Sequence, residues 1–358
     1  MMRRWGNSSG WAAAVLGAAT MGPAAESPGP SSRRTGLTIS EVFLGGVPGS
    51  ATEHLQWVEI YNSNPWPEAV GGYALGGDAS FRLPDGAEVP ASGYLVIASD
   101  PAALRDGYDL PAEAAVTGGW QGVLGTSEGT VVVEKSQGAV LLRVRYQNSD
   151  PWPAAAFGLG HSLALARPSF GEGQARAWEA SLEPGGSPGG PEPVPGEEHL
   201  ARGLRINELA FPASPGDGPA WVELLNASAL SVPFLSLELV WGGSAAAGLP
   251  SRDSLDPGER AVVDLPVVFA EESARGGVLR LQERETGRVL LAVRVPVPVA
   301  GRTWGCSPDG SEFSGWLDGP TRAAPNPGFA PARVVINEIH YHPVSDDEAE
   351  TFVELHNP

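Results

Sequence analysis

Trp57-Val-Glu-Ile-Tyr-Asn62, Trp221-Val-Glu-Leu-Leu-Asn226 and Phe352-Val-Glu-Leu-His-Asn357 are three versions of one six-residue stretch. Each alternates in the manner of a strand, so Trp221, Glu223 and Leu225 share one face while Val222 and Leu224 point to the other. Each is preceded by a second β-rich stretch that also carries a glutamate: Leu37-Thr-Ile-Ser-Glu41, Leu204-Arg-Ile-Asn-Glu208 and Val335-Ile-Asn-Glu338-Ile339. The two glutamates of a unit stand 18, 15 and 16 residues apart in turn. Successive opening glutamates are 167 and 130 residues apart, too far for a solenoid and suited to sandwiches of about 100 residues plus loops.

The remainder of each unit repeats as well. Thr130–Lys135 and Ala139–Tyr146 read as a hairpin around Ser136-Gln-Gly138, matched by Val278–Glu283 and Arg288–Val295 around Thr286-Gly287. Both units close on a tryptophan, Trp178 or Trp316, followed by a turn-rich tail. No segment sustains a helical period over three turns, so the chain reads as all-β, with tandem β-sandwiches over 37–183 and 203–324. Residues 184–202, rich in Pro and Gly, read as a linker, and 325–332 as a second. Residues 333–358 open a third unit; two strands do not bury a core, so further chain is expected after Pro358.

Composition agrees. The 358 residues hold 47 glycines and 34 prolines, about twice ordinary usage, and without a collagen period these read as turn punctuation. A formal net charge of -19 argues against nucleic acid as a partner, because phosphate binding needs a basic footprint. Cys306 is the single cysteine, so no internal disulfide forms. Arg3 and Arg4, the apolar run Trp11–Met21 and small residues up to Ala25 read as a signal peptide over 1–25, with a spacer over 26–36. Export to the cell surface or the medium follows, and no later stretch reads as a membrane span.

The repeated grammar resembles the lamin-tail domain, an immunoglobulin-like β-sandwich found at the end of nuclear lamins and in secreted bacterial proteins. The matching pieces are the Ile-Asn-Glu openings at Ile206–Glu208 and Ile336–Glu338, the Trp/Phe-Val-Glu strands, Val70–Leu75, Leu255–Glu259 and Pro325–Gly328. Ser40 departs from the pattern, standing where the other units have Asn, and Leu235–Leu239 departs from the Ser-Gly-Trp stretch. The resemblance implies tandem immunoglobulin-like sandwiches serving as accessory modules of exported proteins. A segment like Ile336–Pro343 often precedes a CotH-like kinase region in such proteins, and no kinase residues stand in this chain.

Three groups of residues are candidates for chemistry. The pairs Glu41/Glu59, Glu208/Glu223 and Glu338/Glu354 could offer oxygens to Ca2+, or could accept hydrogen bonds from loop amides or pair with arginine, which is the expected role. His340 and His342 share a strand face, with His356 in the next strand, and could ligate a transition metal or lie at an exposed edge. Trp66 and Trp152 sit in similar Pro-flanked loops, Asn62-Ser-Asn-Pro-Trp-Pro and Asn148-Ser-Asp-Pro-Trp-Pro. They could stack on extracellular polysaccharide or fold back over the sandwich ends. Nucleophile elbow, phosphate loop and zinc-helix motifs are absent from the sequence. The expected function is non-catalytic: binding, adhesion or spacing outside the cell, with polysaccharide or surface proteins as partners. Two alternatives stand beside it: the accessory region of a larger secreted enzyme with a CotH-like kinase part, and a carbohydrate-binding array using the loop tryptophans.

Overall fold

The computed structural model describes residues 35–193, 203–212, 218–242, 245–250, 252–266, 274–331, 334–341 and 351–357. The signal peptide and all but the last two residues of the spacer lie outside these residues. Among the described residues no helix is long and apolar enough to cross a membrane.

The chain is all-β, built as sandwiches in tandem. The first unit runs β1 (Leu37–Phe43), β2 (Trp57–Asn62), β3 (Glu68–Ala69), β4 (Ala74–Gly77), β5 (Ala79–Arg82), β6 (Glu88–Val89) and β7 (Tyr94–Ala98). It continues through α1 (Pro101–Gly107), β8 (Val116–Gly118), β9 (Gln121–Gly122), β10 (Glu128–Glu134), β11 (Val140–Gln147), β12 (Leu163–Leu165) and β13 (Trp178–Ala180). One sheet has the order β13-β12-β1-β2-β7-β8 and the other β11-β10-β4-β5-β9. Inward residues of both, among them Ile39, Val58, Ile60 and Ile97 against Leu75, Val131, Val133 and Leu142, make one buried core.

The second unit repeats this plan through β14 (Leu204–Ala210), β15 (Trp221–Asn226), β16 (Val232–Pro233), β17 (Leu237–Trp241) and β18 (Ala245–Gly248). Then come β19 (Ser254–Leu255), β20 (Arg260–Asp264), β21 (Gly277–Glu283), β22 (Val289–Val295), β23 (Thr303–Cys306) and β24 (Ser314–Leu317). Its sheets, β20-β15-β14-β23-β24 and β18-β17-β21-β22, reproduce the strand orders of the first unit without β8 and β9. β17, which carries Leu237-Glu-Leu239, thus takes the place of β4 despite the departure from the sequence pattern. The third unit is the hairpin β25 (Val335–His340) with β26 (Phe352–His356).

The helix of the first unit follows from local chemistry. Asp100 accepts hydrogen bonds from the amides of Ala102 and Ala103, both at 3.0 Å, and Pro101 fits the first turn. α1 lays Leu104 over Phe43, Trp57, Val96 and Ala98, a small second core on the outer face of the sheet.

The two complete sandwiches are docked, not merely strung together. His161, fully buried in the first unit, bonds through Nδ1 to the Ser181 carbonyl at 2.9 Å, and its Nε2 faces the Val289 amide at 3.1 Å. With Nε2 accepting from the Val289 amide and Nδ1 facing a carbonyl, the ring is a neutral imidazole protonated on Nδ1. Arg294 of β22 reaches Asn148 Oδ1 at 2.9 Å and the Trp152 carbonyl at 2.7 Å, while Arg288 pairs with Glu183 at 2.7 Å.

Candidate functional site

From Ile39 to Val42, and again from Ile206 to Leu209, the step between two inward-facing side chains is three residues where a regular strand steps by two. A β-bulge accounts for this: Ile39 pairs with Ile60, but the next ladder partner of Glu59 is Glu41. The same shift recurs between Ile206 and Glu208 and between Ile336 and Glu338. The extra residue keeps Glu41 on the outer face, where regular alternation would turn it into the core. It also sets the glutamates directly opposite one another, as Glu41–Glu59, Glu208–Glu223 and Glu338–Glu354.

The bulge residue itself is a hydrogen-bond donor to the second glutamate. Ser40 Oγ donates to Glu59 at 2.7 Å, and Asn207 Nδ2 donates to Glu223 at 2.9 Å. Asn337 Nδ2 donates to Glu354 in the third unit. Serine therefore fills the role of asparagine in the first unit.

In both complete units the closing tail folds over the glutamates. Glu41 accepts from Ser162 Oγ, from the Ser187 amide at 3.1 Å and from Ser187 Oγ at 3.0 Å. Two residues further along, the Gly189 amide donates to Glu59 at 2.7 Å. Glu208 accepts from Thr303 Oγ1 at 2.6 Å and from Thr321, by its amide at 3.1 Å and its hydroxyl at 2.8 Å. Two residues on, the Ala323 amide donates to Glu223 at 2.8 Å. Residues 184–190 and 325–326, whose composition reads as linker, thus lie on their sandwiches, and Asn326 Nδ2 bonds the carbonyls of Asn207 and Cys306. Gly186 shows why glycine is used: its φ is +80°, and a Cβ there would collide with Glu41 Oε1.

Electrostatically the two sites differ. In the second unit Arg260 Nε stands 3.2 Å from Glu223, and Arg260 also pairs with Asp309. Ladder pairing puts Tyr94 opposite Tyr61 in the first unit where Arg260 is opposite Leu225 in the second. Among the described residues no cation takes the place of the arginine at the Glu41–Glu59 pair, and Glu192 adds a third carboxylate through Ser187 Oγ at 3.0 Å. Burial, with Glu192 next, pushes the Glu41 carboxyl up to about 8. Burial and then the Glu41 charge push Glu59 well above the usual carboxylate range. The first pair therefore holds a proton at neutral pH, as like charges at one buried site must. Burial also raises Glu223, against the opposing effects of Asn207, Ala323 and Arg260.

These four carboxylates are sealed, none more than 2% exposed. Their oxygens face N–H and O–H donors, which use the lone pairs that a hard cation such as Ca2+ would need. Their geometry is that of structural ties. The third pair, Glu338 and Glu354, is exposed.

The two described histidines of the third unit do not converge. His340 is opposite Phe352 and stacks on its ring at 5.2 Å, whereas His356 is opposite Val335 at the other end of the antiparallel hairpin. His342 lies outside the described residues. Among the described residues no group of three or more metal-ligating side chains assembles.

The two similar tryptophan loops have different fates. Trp66 is 58% exposed, its carbonyl held by Asn62 Nδ2 at 2.9 Å. Trp152 takes the folded-back alternative: it is 5% exposed and packs on Trp178 at 6.2 Å, and Arg294 holds its carbonyl. Cys306 is buried, which pushes its thiol up to about 11. His161, Arg260 and Arg294 carry no signal of their own in sequence, since each acts through partners distant along the chain.

No family model matches the chain, and no curated protein matches it. Among solved structures, weak matches include the exo-beta-D-glucosaminidase CsxA studied with a glucosamine-configured castanospermine, at 16% identity and a TM-score of 0.17. That match covers 67% of this chain and 25% of the other. A variant of Amycolatopsis orientalis exo-chitosanase CsxA with PNP-beta-D-glucosamine matches at 14% identity and a TM-score of 0.18, over 74% of this chain and 27% of the other. The chain thus spans about a quarter of the length of these structures, and similarity this slight carries no argument about fold or activity.

Proposed function

We propose that the chain is an exported, non-catalytic run of lamin-tail-like sandwiches that holds binding surfaces at a fixed spacing outside the cell. The observation that carries this reading is the seam between the first two units. A buried neutral histidine, three ion pairs across the joint (Arg288–Glu183, Arg294–Asp150 and Arg167–Glu312) and an arginine held on a carbonyl suit a rigid spacer better than a flexible string. The burial of the glutamate pairs supports it too, because the carboxylates most suggestive of chemistry already serve to tie down loops. The third hairpin exposes Ile336, Ile339, Val353 and Leu355, and the equivalent residues of the second unit lie under a second sheet. That face favours membership of a further sandwich and hence a place within a larger secreted protein, the role of accessory region included.

The test is small-angle scattering on the intact chain and on an Arg288→Ala/Arg294→Ala variant, with the N-terminus sequenced after expression in a bacterial host. A single compact distance distribution that broadens only in the variant, and a chain recovered outside the cytoplasm and cleaved after Ala19, Ala24 or Ala25, are expected. A wild type as broad as the variant would sink the spacer role, and an uncleaved cytoplasmic chain would sink export.

A further inference from the structure

One cleft in the first unit takes no part in the glutamate ties and borders the domain seam only through the 148–152 loop. It opens at one end of the second sheet, where the β4–β5 turn, the start of β10 and the end of β11 meet the 148–152 and 173–175 loops, and has a volume of about 630 Å³. That lies within the roughly 300–1,000 Å³ of small-ligand sites. Asp78, Glu128, Arg145, Tyr146, Gln147 and Trp152 line it. Tyr146 is 2% exposed, yet its phenol oxygen has no hydrogen-bond partner. Such a group is costly to bury and rare in a folded core.

Gly129 explains how the phenol comes to stand there. A Cβ at this position would collide with the Tyr146 oxygen and lie 2.5 Å from Asp78 Oδ2, so glycine clears the space in which both polar ends converge. Its φ lies outside the left-handed region, so room and not backbone freedom is what glycine provides. Trp152, buried against Trp178 and positioned by Arg294 through its carbonyl, closes the inner side of the cleft.

We infer that this cleft binds a neutral or amino-bearing glycan segment. Carboxylates, a guanidinium and a primary amide offer planar donor and acceptor pairs to vicinal hydroxyls, and the phenol supplies a donor awaiting an acceptor. Two acids against one arginine disfavour an anionic ligand. The inference rests on the binding-module reading above and names its ligand class.

The experiment is calorimetric titration of the full chain with cellotriose, a glucosamine trisaccharide and trigalacturonate, repeated with Tyr146→Phe and Trp66→Ala, with released reducing ends assayed in the same samples. Tyr146→Phe removes only an unpaired hydroxyl, so its unfolding midpoint should equal or exceed the wild type. Binding of a neutral or amino trisaccharide, weakened about tenfold by Tyr146→Phe and unchanged by Trp66→Ala, is the expected result. No binding by any probe, preference for trigalacturonate, or a loss on Trp66→Ala with Tyr146→Phe silent would each overturn the cleft while leaving the spacer reading intact. Release of reducing ends would instead overturn the non-catalytic reading.

Discussion

Replacing Glu59 by glutamine tests the electrostatic account of the first unit most directly. Burial pushes Glu41 from its ordinary 4.5 to about 8, and Glu59, its cross-strand partner, is raised as well. Unfolded glutamate ionises near its ordinary value, so between about pH 4.5 and 8 the folded unit binds more protons than the unfolded chain. Stability contributed by the protonated pair is fully present below about 4.5 and lost as pH rises through about 8. At 1.36 kcal/mol per pH unit the loss amounts to about 5 kcal/mol for one proton, a large share of the roughly 5–15 kcal/mol of a typical domain. Glutamine keeps the shape, accepts from the Gly189 amide through its carbonyl and turns its NH2 toward Ser40 Oγ and Glu41. It removes the ionisable carboxyl that burial and then the Glu41 charge hold well above the usual carboxylate range. Glu59→Gln should stabilise the first unit by about 2 kcal/mol at pH 8 and change it by less than about 0.5 kcal/mol at pH 5. Hydrogen exchange read by mass spectrometry on peptides spanning 37–62 and 204–226 separates the two units during urea unfolding at pH 5, 6.5 and 8. A wild-type first unit equally stable from pH 5 to 8, or a variant weaker than wild type at pH 8, would refute the reasoning.

Three further outcomes are expected. Arg260→Met leaves Glu223 without its cation and should cost the second unit about 3 kcal/mol at pH 8 and less at pH 5, read by the same exchange experiment. Gly186→Ala forces a side chain into left-handed backbone against Glu41, and should lower first-unit stability by at least about 2 kcal/mol in urea unfolding while sparing the second unit. Trp152→Ala should cost about 3–5 kcal/mol, whereas Trp66→Ala should change the unfolding free energy by less than about 0.5 kcal/mol, despite their matching loop sequences.

Strand identity was largely legible because the outer-face glutamates punctuate an otherwise simple alternation. The hairpins around Ser136-Gln-Gly138 and Thr286-Gly287 appear as β10–β11 and β21–β22 close to where their sequences put them. The bulge was also written in the chain, as the three-residue step from Ile39 to Val42, though only pairing reveals that it sets the glutamates opposite each other. Asp100-Pro101 carried a helix-start signal that a search for long helical periods passes over. The fates of Trp66 and Trp152 were not legible, since what distinguishes them is Arg294, more than 140 residues from Trp152 and in another unit. Likewise the Gly-rich 184–190 segment has the composition of a linker for a reason that lies elsewhere in the chain. It must pass close over Glu41 and Glu59 with its amides directed at them.

Bulge, glutamates and tail therefore explain one another. A turn-rich tail laid across a sheet has amides that no strand can pair, and burying them unpaired would cost about 1–3 kcal/mol each. An ionised carboxylate is an acceptor with room for several donors, so two glutamates opposite each other can anchor the tail and its flanking hydroxyls together. Only a bulge brings the first glutamate to the outer face without turning its neighbours Ile39 and Val42 out of the core. The arrangement then faces a charge problem, which the units solve differently: the second with Arg260, the first with a retained proton. The third hairpin carries the same bulge, the same opposed pair and the same asparagine donor to Glu354. Its sequence thus already encodes the acceptors for a closing tail, and the structural role of the pair is built into the hairpin before any tail lies across it.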